Sequence, residues 1–182
     1  MYVSNYLKVT KQGLYQTKYK LKKADVDAEL FFDHLILQTE KVKINKGRLF
    51  MFGNGASAAI SNHMALDWSK NGNVLALSLS DSAMLTALSN DYSYDECFLE
   101  FLKINKPTKH DFIVTTSSSG NSTNNVIVLN YCKKNELTSF ALSGLNESNQ
   151  SISIADFSLY VPMKTYGLVE CIHQLFHHLW LD

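Results

Sequence analysis

Short apolar runs alternate with longer amphipathic segments along this chain. Val26, Leu30, Phe31, His34, Leu35 and Leu37 recur at helical intervals and predict a helix over 24–42, ended by Asn45-Lys46-Gly47. Arg48 to Phe52 predicts a buried strand that breaks at Gly53-Asn54-Gly55, with a helix over 57–70 closed by Asn71-Gly72-Asn73. Val74 to Leu79 predicts a second strand, and Ser80-Asp81-Ser82 caps a short helix over 83–88. A polar, aromatic loop over 90–94 precedes a helix over 95–102. The third strand, Asp111 to Thr115, runs into the stretch Thr116-Ser117-Ser118-Ser119-Gly120-Asn121-Ser122, followed by a helix over 124–134. Ser139 to Leu142 and Phe157 to Val161 predict the fourth and fifth strands, and 165–181 a final helix. Residues 1–22 have weak periodicity and read as a helix or as an arm that docks on a partner. Strands alternating with helices predict one α/β domain over 1–182, with a parallel sheet covered on both faces. Residues 1–42 are expected to pack as a helical segment on the core or on a neighbouring subunit.

Composition narrows the function classes. A hydrophobic share of 46% with 19% charged residues is ordinary for a soluble globular domain. The 17 basic and 17 acidic residues cancel, which argues against bulk-charge binding to nucleic acid. Lys18, Lys20, Lys22 and Lys23 read as a solvated face. No apolar run approaches the ~20 residues that a membrane helix needs, and the first residues lack the apolar core of a signal peptide. Cys97, Cys132 and Cys171 are odd in number and widely spaced, the pattern of reduced thiols in a cytoplasmic protein.

Candidate chemistry sits in the loops after the strands, where open α/β sheets bind ligands. A strand, a glycine turn and a helix N-terminus at 49–57 make an anion site, because free N–H groups and the helix dipole point the same way. His63 and Asp67 follow at i, i+4 spacing and leave one face of that helix. Such a pair is often only a surface pair. The anion loop just upstream favours chemistry on a phosphorylated substrate. The serine stretch suits an uncharged phosphate cradle of hydroxyls and backbone N–H groups. Neither loop is a Walker loop, and Ala58 stands where the dinucleotide fingerprint has its third glycine. His173, His177 and His178 share an amphipathic helix with Leu175, Phe176, Leu179 and Trp180, so at least one is a packing residue. Phe31, Phe32, Leu35, Trp68 and Trp180 read as core or subunit contacts, and His34 and His110 carry no functional role.

Four stretches in order resemble the sugar isomerase (SIS) domain family, and within it the phosphoheptose isomerases. They are Gly53-Asn-Gly-Ala-Ser57 with His63 and Asp67, Leu85-Thr-Ala-Leu-Ser-Asn-Asp-Tyr92, Ser117-Ser-Ser-Gly-Asn-Ser122, and the last helix with Glu170, His173 and His178. The match covers roughly residues 25–182. The resemblance implies a five-stranded parallel sheet flanked by helices, a homotetramer, and conversion of sedoheptulose 7-phosphate to a heptose 7-phosphate for bacterial surface polysaccharide. It implies phosphate binding by Ser117, Ser118, Ser119 and Ser122, and sugar-phosphate contacts from Asn54, Gly55, Ser57, Asn90, Asp91 and Glu170. It also implies one Zn²⁺ per subunit held by His63, Asp67, Glu170 and His178. A shifted register would put His177 in the place of His178.

Asp67 and Glu170 depart from the Glu and Gln that the family carries, and Ala56 replaces a glycine. The expected chemistry is proton transfer between C1 and C2 through an enediol, with Asp67 as base, His178 as partner acid and the metal polarising the carbonyl. The competing readings are a non-catalytic SIS domain that binds sugar phosphates or a replication initiator, and an isomerase for another sugar phosphate. Retention of His63, Asp67, Glu170 and His178 favours the enzyme.

Overall fold

A computed structural model describes residues 1–182. The order of elements is α1 (Tyr2–Gln16), β1 (Lys18–Leu21), β2 (Ala24–Val26), α2 (Ala28–Ile44), β3 (Leu49–Gly53), α3 (Ala56–Lys70), β4 (Ala76–Ser78), α4 (Ser82–Asp91), α5 (Cys97–Ile104), β5 (Phe112–Ser117), α6 (Thr123–Lys134), β6 (Thr138–Gly144), α7 (Gln150–Ile154), β7 (Phe157–Val161) and α8 (Tyr166–Leu181). The strands form one sheet in the order β2-β1-β7-β6-β5-β3-β4. The five strands from β7 to β4 are parallel, as their apolar runs predict.

Side chains alternate between two cores, one on each face of the sheet. Phe112 and Val114 of β5 point into one with Leu49 and Met51 of β3, and Ile113 points into the other with Phe50 and Phe52. The first core is covered by α2, α3 and α8 through Phe31, Leu35, Met64, Trp68, Ile172, Phe176 and Trp180. The second is covered by α4, α5 and α6 through Leu88, Phe98, Phe101, Leu102 and Val128. Trp68 and Trp180 lie 4.7 Å apart between ring centroids, and the Trp180 indole donates to Thr39 Oγ1 at 2.9 Å. This locks α3, α8 and α2 together.

Two parts differ from expectation. The sheet has seven strands, because residues 18–26 form an antiparallel hairpin added to the outer edge of β7. The N-terminal segment is therefore helix, hairpin, helix. The hairpin turn is Lys22-Lys23, both with positive φ (47° and 78°), a conformation that Asn-Gly usually signals. The basic run is the solvated face of β1 and the turn that follows it. Lys18 pairs with Glu147 and Lys20 with Asp25, while Tyr19 turns into the core. The second difference is α7, a short helix capped by Asn149, whose side chain accepts from the Ile152 N–H at 3.2 Å.

Candidate active site

The serine loop leaves β5 at its carboxyl end and closes on itself. Ser117 Oγ lies 3.1 Å from Ser122 Oγ and 3.4 Å from Ser119 Oγ, and accepts from the Gly120 N–H at 3.2 Å. Helix α7 braces the loop from behind. The Ser151 hydroxyl donates to the Gly120 carbonyl at 2.8 Å, and the Gln150 N–H donates to Asn121 Oδ1 at 2.9 Å. Gly120 has φ +64°, and a Cβ there would meet Asn149 Oδ1 at 2.2 Å. Gly120→Ala should therefore both strain the loop and break the α7 cap, costing about 2 kcal/mol or more. A urea melt and a phosphate-ester binding titration check this, and a variant with native stability and binding refutes it.

Across from this loop, Gly55 takes φ +56° and lets β3 turn sharply into α3. Asn54 and Asn124 exchange amide hydrogen bonds at 2.9 and 3.1 Å, and the Tyr94 hydroxyl donates to Asn54 Oδ1 at 2.8 Å. The two ligand loops are thus tied by a reciprocal amide pair. Between them lies a cleft of about 120 Å³ lined by Asn54, Ser57, Thr116, Ser117, Ser118, Ser119, Ser122, Tyr166 and Glu170. No lysine or arginine lines it. The Ser118 hydroxyl is buried without a partner, so it is a donor available to a ligand oxygen. A larger cavity, about 750 Å³, opens at the amino ends of β6 and β7. It is the less suitable catalytic site, because the loops with convergent donors lie at the carboxyl ends.

Helices α3 and α8 both start at the cleft, through Ser57 and through Tyr166 and Glu170, and run down the domain side by side. Further along, His63 Nε2 lies 3.2 Å from Asp67 Oδ2, and the His63 and His178 rings are 5.4 Å apart. One ligand atom from each of His63, Asp67 and His178 falls within 4.8 Å of the others. Two imidazoles and a carboxylate at this separation fit a divalent ion such as Zn²⁺. At 1.5 Å per residue, the step from Ser57 to His63 puts this cluster about 9 Å along the helix from the cleft.

The structure sorts the remaining candidates. His177 is buried and its Nε2 lies 3.0 Å from Thr116 Oγ1, so it braces the start of the serine loop and does not join His63 and Asp67. His173 is buried with Nε2 3.0 Å from the Ser143 carbonyl oxygen. Burial pushes the pKa of His173 down to about 4. Burial, with smaller contributions from His173 and His178, pushes that of His177 down to about 3. Both are neutral packing residues. Glu170 lies in the cleft and outside the three-residue cluster. Asn90 and Asp91 sit at the exposed end of α4, bonded to each other at 3.0 Å, and do not line the cleft. The polar turn Ser143-Gly144 is used internally, by His173 and by the Asn149 amide. Thr116, Tyr94, Asn124, Tyr166 and Gln174 were not singled out by the sequence, and the structure brings each to the site. Asn124 and Tyr166 open the helices that follow a ligand loop and the last strand, a position that could have flagged them.

A family model described as "SIS domain" matches residues 35–144. The chain belongs to the SIS domain family. It is 30% identical over 155 residues to a phosphoheptose isomerase of Helicobacter pylori, covering 82% of this chain and 78% of that one. It is 29% identical over 149 residues to phosphoheptose isomerase 2 of Campylobacter jejuni, covering 79% and 73%. Among solved structures, a phosphoheptose isomerase from Neisseria gonorrhoeae superposes with a TM-score of 0.79 at 24% identity, covering 99% of this chain and 95% of that one. The parallel sheet and its flanking helices are thus the SIS fold. No helix of this SIS domain is long and apolar enough to cross a membrane.

Proposed function

We propose that this SIS domain is an aldose–ketose isomerase that converts sedoheptulose 7-phosphate to D-glycero-D-manno-heptose 7-phosphate, supplying heptose for bacterial surface polysaccharide. The observation that carries the reading is the parallel α3–α8 pair. It sets a hydroxyl-lined cleft at one end and a His/Asp/His cluster about two turns further along. That spacing suits an extended sugar phosphate, with its phosphate in the serine loop and its carbonyl end at the cluster. Its named relatives point to the same substrate.

The serine hydroxyls and loop N–H groups hold the phosphate without a cation, using neutral donors in a partly buried cleft. Asp67 takes the proton from one sugar carbon, and His178 exchanges a proton with the neighbouring oxygen. His63 holds the Asp67 carboxylate at 3.2 Å and fixes its direction. A divalent ion bound by His63, Asp67 and His178, with Zn²⁺ the best match to the donor set, would polarise the carbonyl. Glu170, facing the cleft, is placed to accept from substrate hydroxyls. A purely regulatory SIS domain has no use for the second half of this arrangement.

The same reading places the enzyme in the cytoplasm, consistent with three free cysteines, and in a homotetramer. Apolar residues left exposed on α1, α2, α3 and α8, among them Leu7, Ile36, Leu66 and Leu179, support assembly. The test is purified protein given sedoheptulose 7-phosphate with and without chelator, with metal analysis and light scattering on the same sample. Interconversion that stops on chelation and returns with Zn²⁺ is expected. No product with metal supplied overturns the substrate, and a monomer at every concentration overturns the tetramer.

A further inference from the structure

The cavity at the amino ends of β6 and β7 has no part in the chemistry above, yet it is roomier than the serine-loop cleft. Its volume of about 750 Å³ is that of a site for a small organic molecule. One wall is α2, where His34, Leu37, Gln38 and Lys41 follow i, i+3, i+4, i+7 spacing and share a face. Another is the end of α6 with the loop into β6, through Cys132, Lys133, Glu136 and Leu137. Leu21 and Lys22 of the hairpin complete it, and the Lys22 N–H donates to the Asp156 carbonyl at 2.7 Å, which ties the turn to the start of β7. We propose that this cavity binds a small organic anion carried on an apolar body.

Two observations carry it. First, the positive charge is unspent. Lys22, Lys41 and Lys133 line the cavity and none of them makes an ion pair. Of the two acids there, Asp156 accepts from the Ser139 N–H and hydroxyl at 3.0 and 3.1 Å, which leaves Glu136. Lys41 and Lys133 lie in the last turns of α2 and α6, where cations offset the helix dipole. Lys43 and Lys134 supply that charge at the same ends without lining the cavity, so the dipoles do not require the inward pair. Second, the lining is apolar as well as cationic. Leu21, Leu37, Cys132, Leu137 and Phe157 contribute to it, and Leu37 is 57% exposed, apolar surface that a ligand body would take out of water. Burial pushes the Cys132 thiol up to about 12, so it is a wall and not a nucleophile. A bare inorganic anion would leave this surface wet, and a neutral apolar molecule would leave three lysines without a counter-charge.

The probe is anilinonaphthalene sulfonate, an anion on a fused aromatic body whose fluorescence rises when that body leaves water. Wild type should bind it saturably. Lys41→Glu and Lys133→Glu combined should weaken binding roughly 10-fold, and Leu37→Ser should weaken it several-fold. Tyr15→Ser, in the apolar groove between α1 and α8, should bind as wild type does. All are exposed positions, and each variant is confirmed folded by melting. N-phenylnaphthylamine, the same body without the charge, and inorganic phosphate, the charge without a body, should each bind at least roughly 10-fold more weakly than the sulfonate. Wild-type affinity in the lysine variant, loss in Tyr15→Ser instead, equal binding of either partial probe, or no saturable binding by wild type each overturns the proposal. The cavity shares no residue with the serine-loop cleft or with the His63, Asp67 and His178 cluster, so the outcome is independent of the isomerase reading.

Discussion

Asp67→Asn is expected to lower kcat for sugar-phosphate isomerisation by about 10²- to 10⁴-fold while leaving the fold intact. Asp67 sits on the groove face of α3 with its side chain 17% exposed, and its Oδ2 lies 3.2 Å from the Nε2 of His63, itself half exposed. Loss of such a pair costs at most about 1 kcal/mol. The buried face of α3, Ile60, Met64 and Trp68, is untouched. Asparagine keeps the shape and removes the base, so KM should move far less than kcat. His178→Ala should act similarly on turnover, since it removes a cluster donor and not a core residue. Steady-state kinetics paired with thermal melts decide the matter. Either variant turning over at the wild-type rate removes the roles assigned to these side chains.

The largest stability effect should come from Asp111→Ala, at about 3–5 kcal/mol in urea denaturation. Asp111 is 1% exposed at the entry to β5. It accepts from the Arg48 backbone N–H at 2.7 Å, Arg48 Nε at 3.1 Å, Arg48 Nη2 at 2.9 Å and the Thr108 N–H at 2.7 Å. Arg48 in turn donates to the Asn105 and Lys106 carbonyls and lies over the Phe50 ring. Removing the carboxylate leaves a guanidinium and two backbone donors stranded where β3 and β5 begin. A loss under about 1 kcal/mol would show that water replaces the carboxylate freely.

Burial raises the Asp111 pKa, but hydrogen bonds from Arg48 and Thr108 outweigh it, and the net shift is downward. The stability it contributes is therefore complete above the unfolded carboxylate value, about 3.9, and is lost as pH falls through the lower folded value. His173 and His177 act earlier. Their folded pKa values lie below the ordinary histidine value of 6.5, so the unfolded chain binds protons first. Wild-type stability should fall as pH drops below about 6.5, well before Asp111 titrates. A stability profile flat from pH 7 to pH 4 would contradict this.

The parallel sheet was legible because β3, β5, β6 and β7 are buried on both faces and read as continuous apolar runs. The hairpin was not legible, since lysines occupy its turn positions in place of Asn-Gly and its edge strands carry charge. Helix α7 escaped because five residues give no helical period. The serine loop and the His63–Asp67 pair were visible from local spacing alone. Gln174 was legible only in part, since its i, i+4 spacing to His178 can be read along α8 but its contact with Met64 on another helix cannot. The choice between His177 and His178 likewise needed the sheet, because it is Thr116 at the end of β5 that claims His177.

Covering β7 with the hairpin leaves only β2 and β4 as outermost strands, each three residues long. Neither offers a ladder of free amides long enough to template a neighbour, and β2 carries a charged Asp25. Copies of this chain therefore have no route to continuous intermolecular sheets. The proposed assembly would fall to the helical flanks, where the exposed apolar residues are concentrated, and those flanks include the α3–α8 groove that holds the His63, Asp67 and His178 cluster.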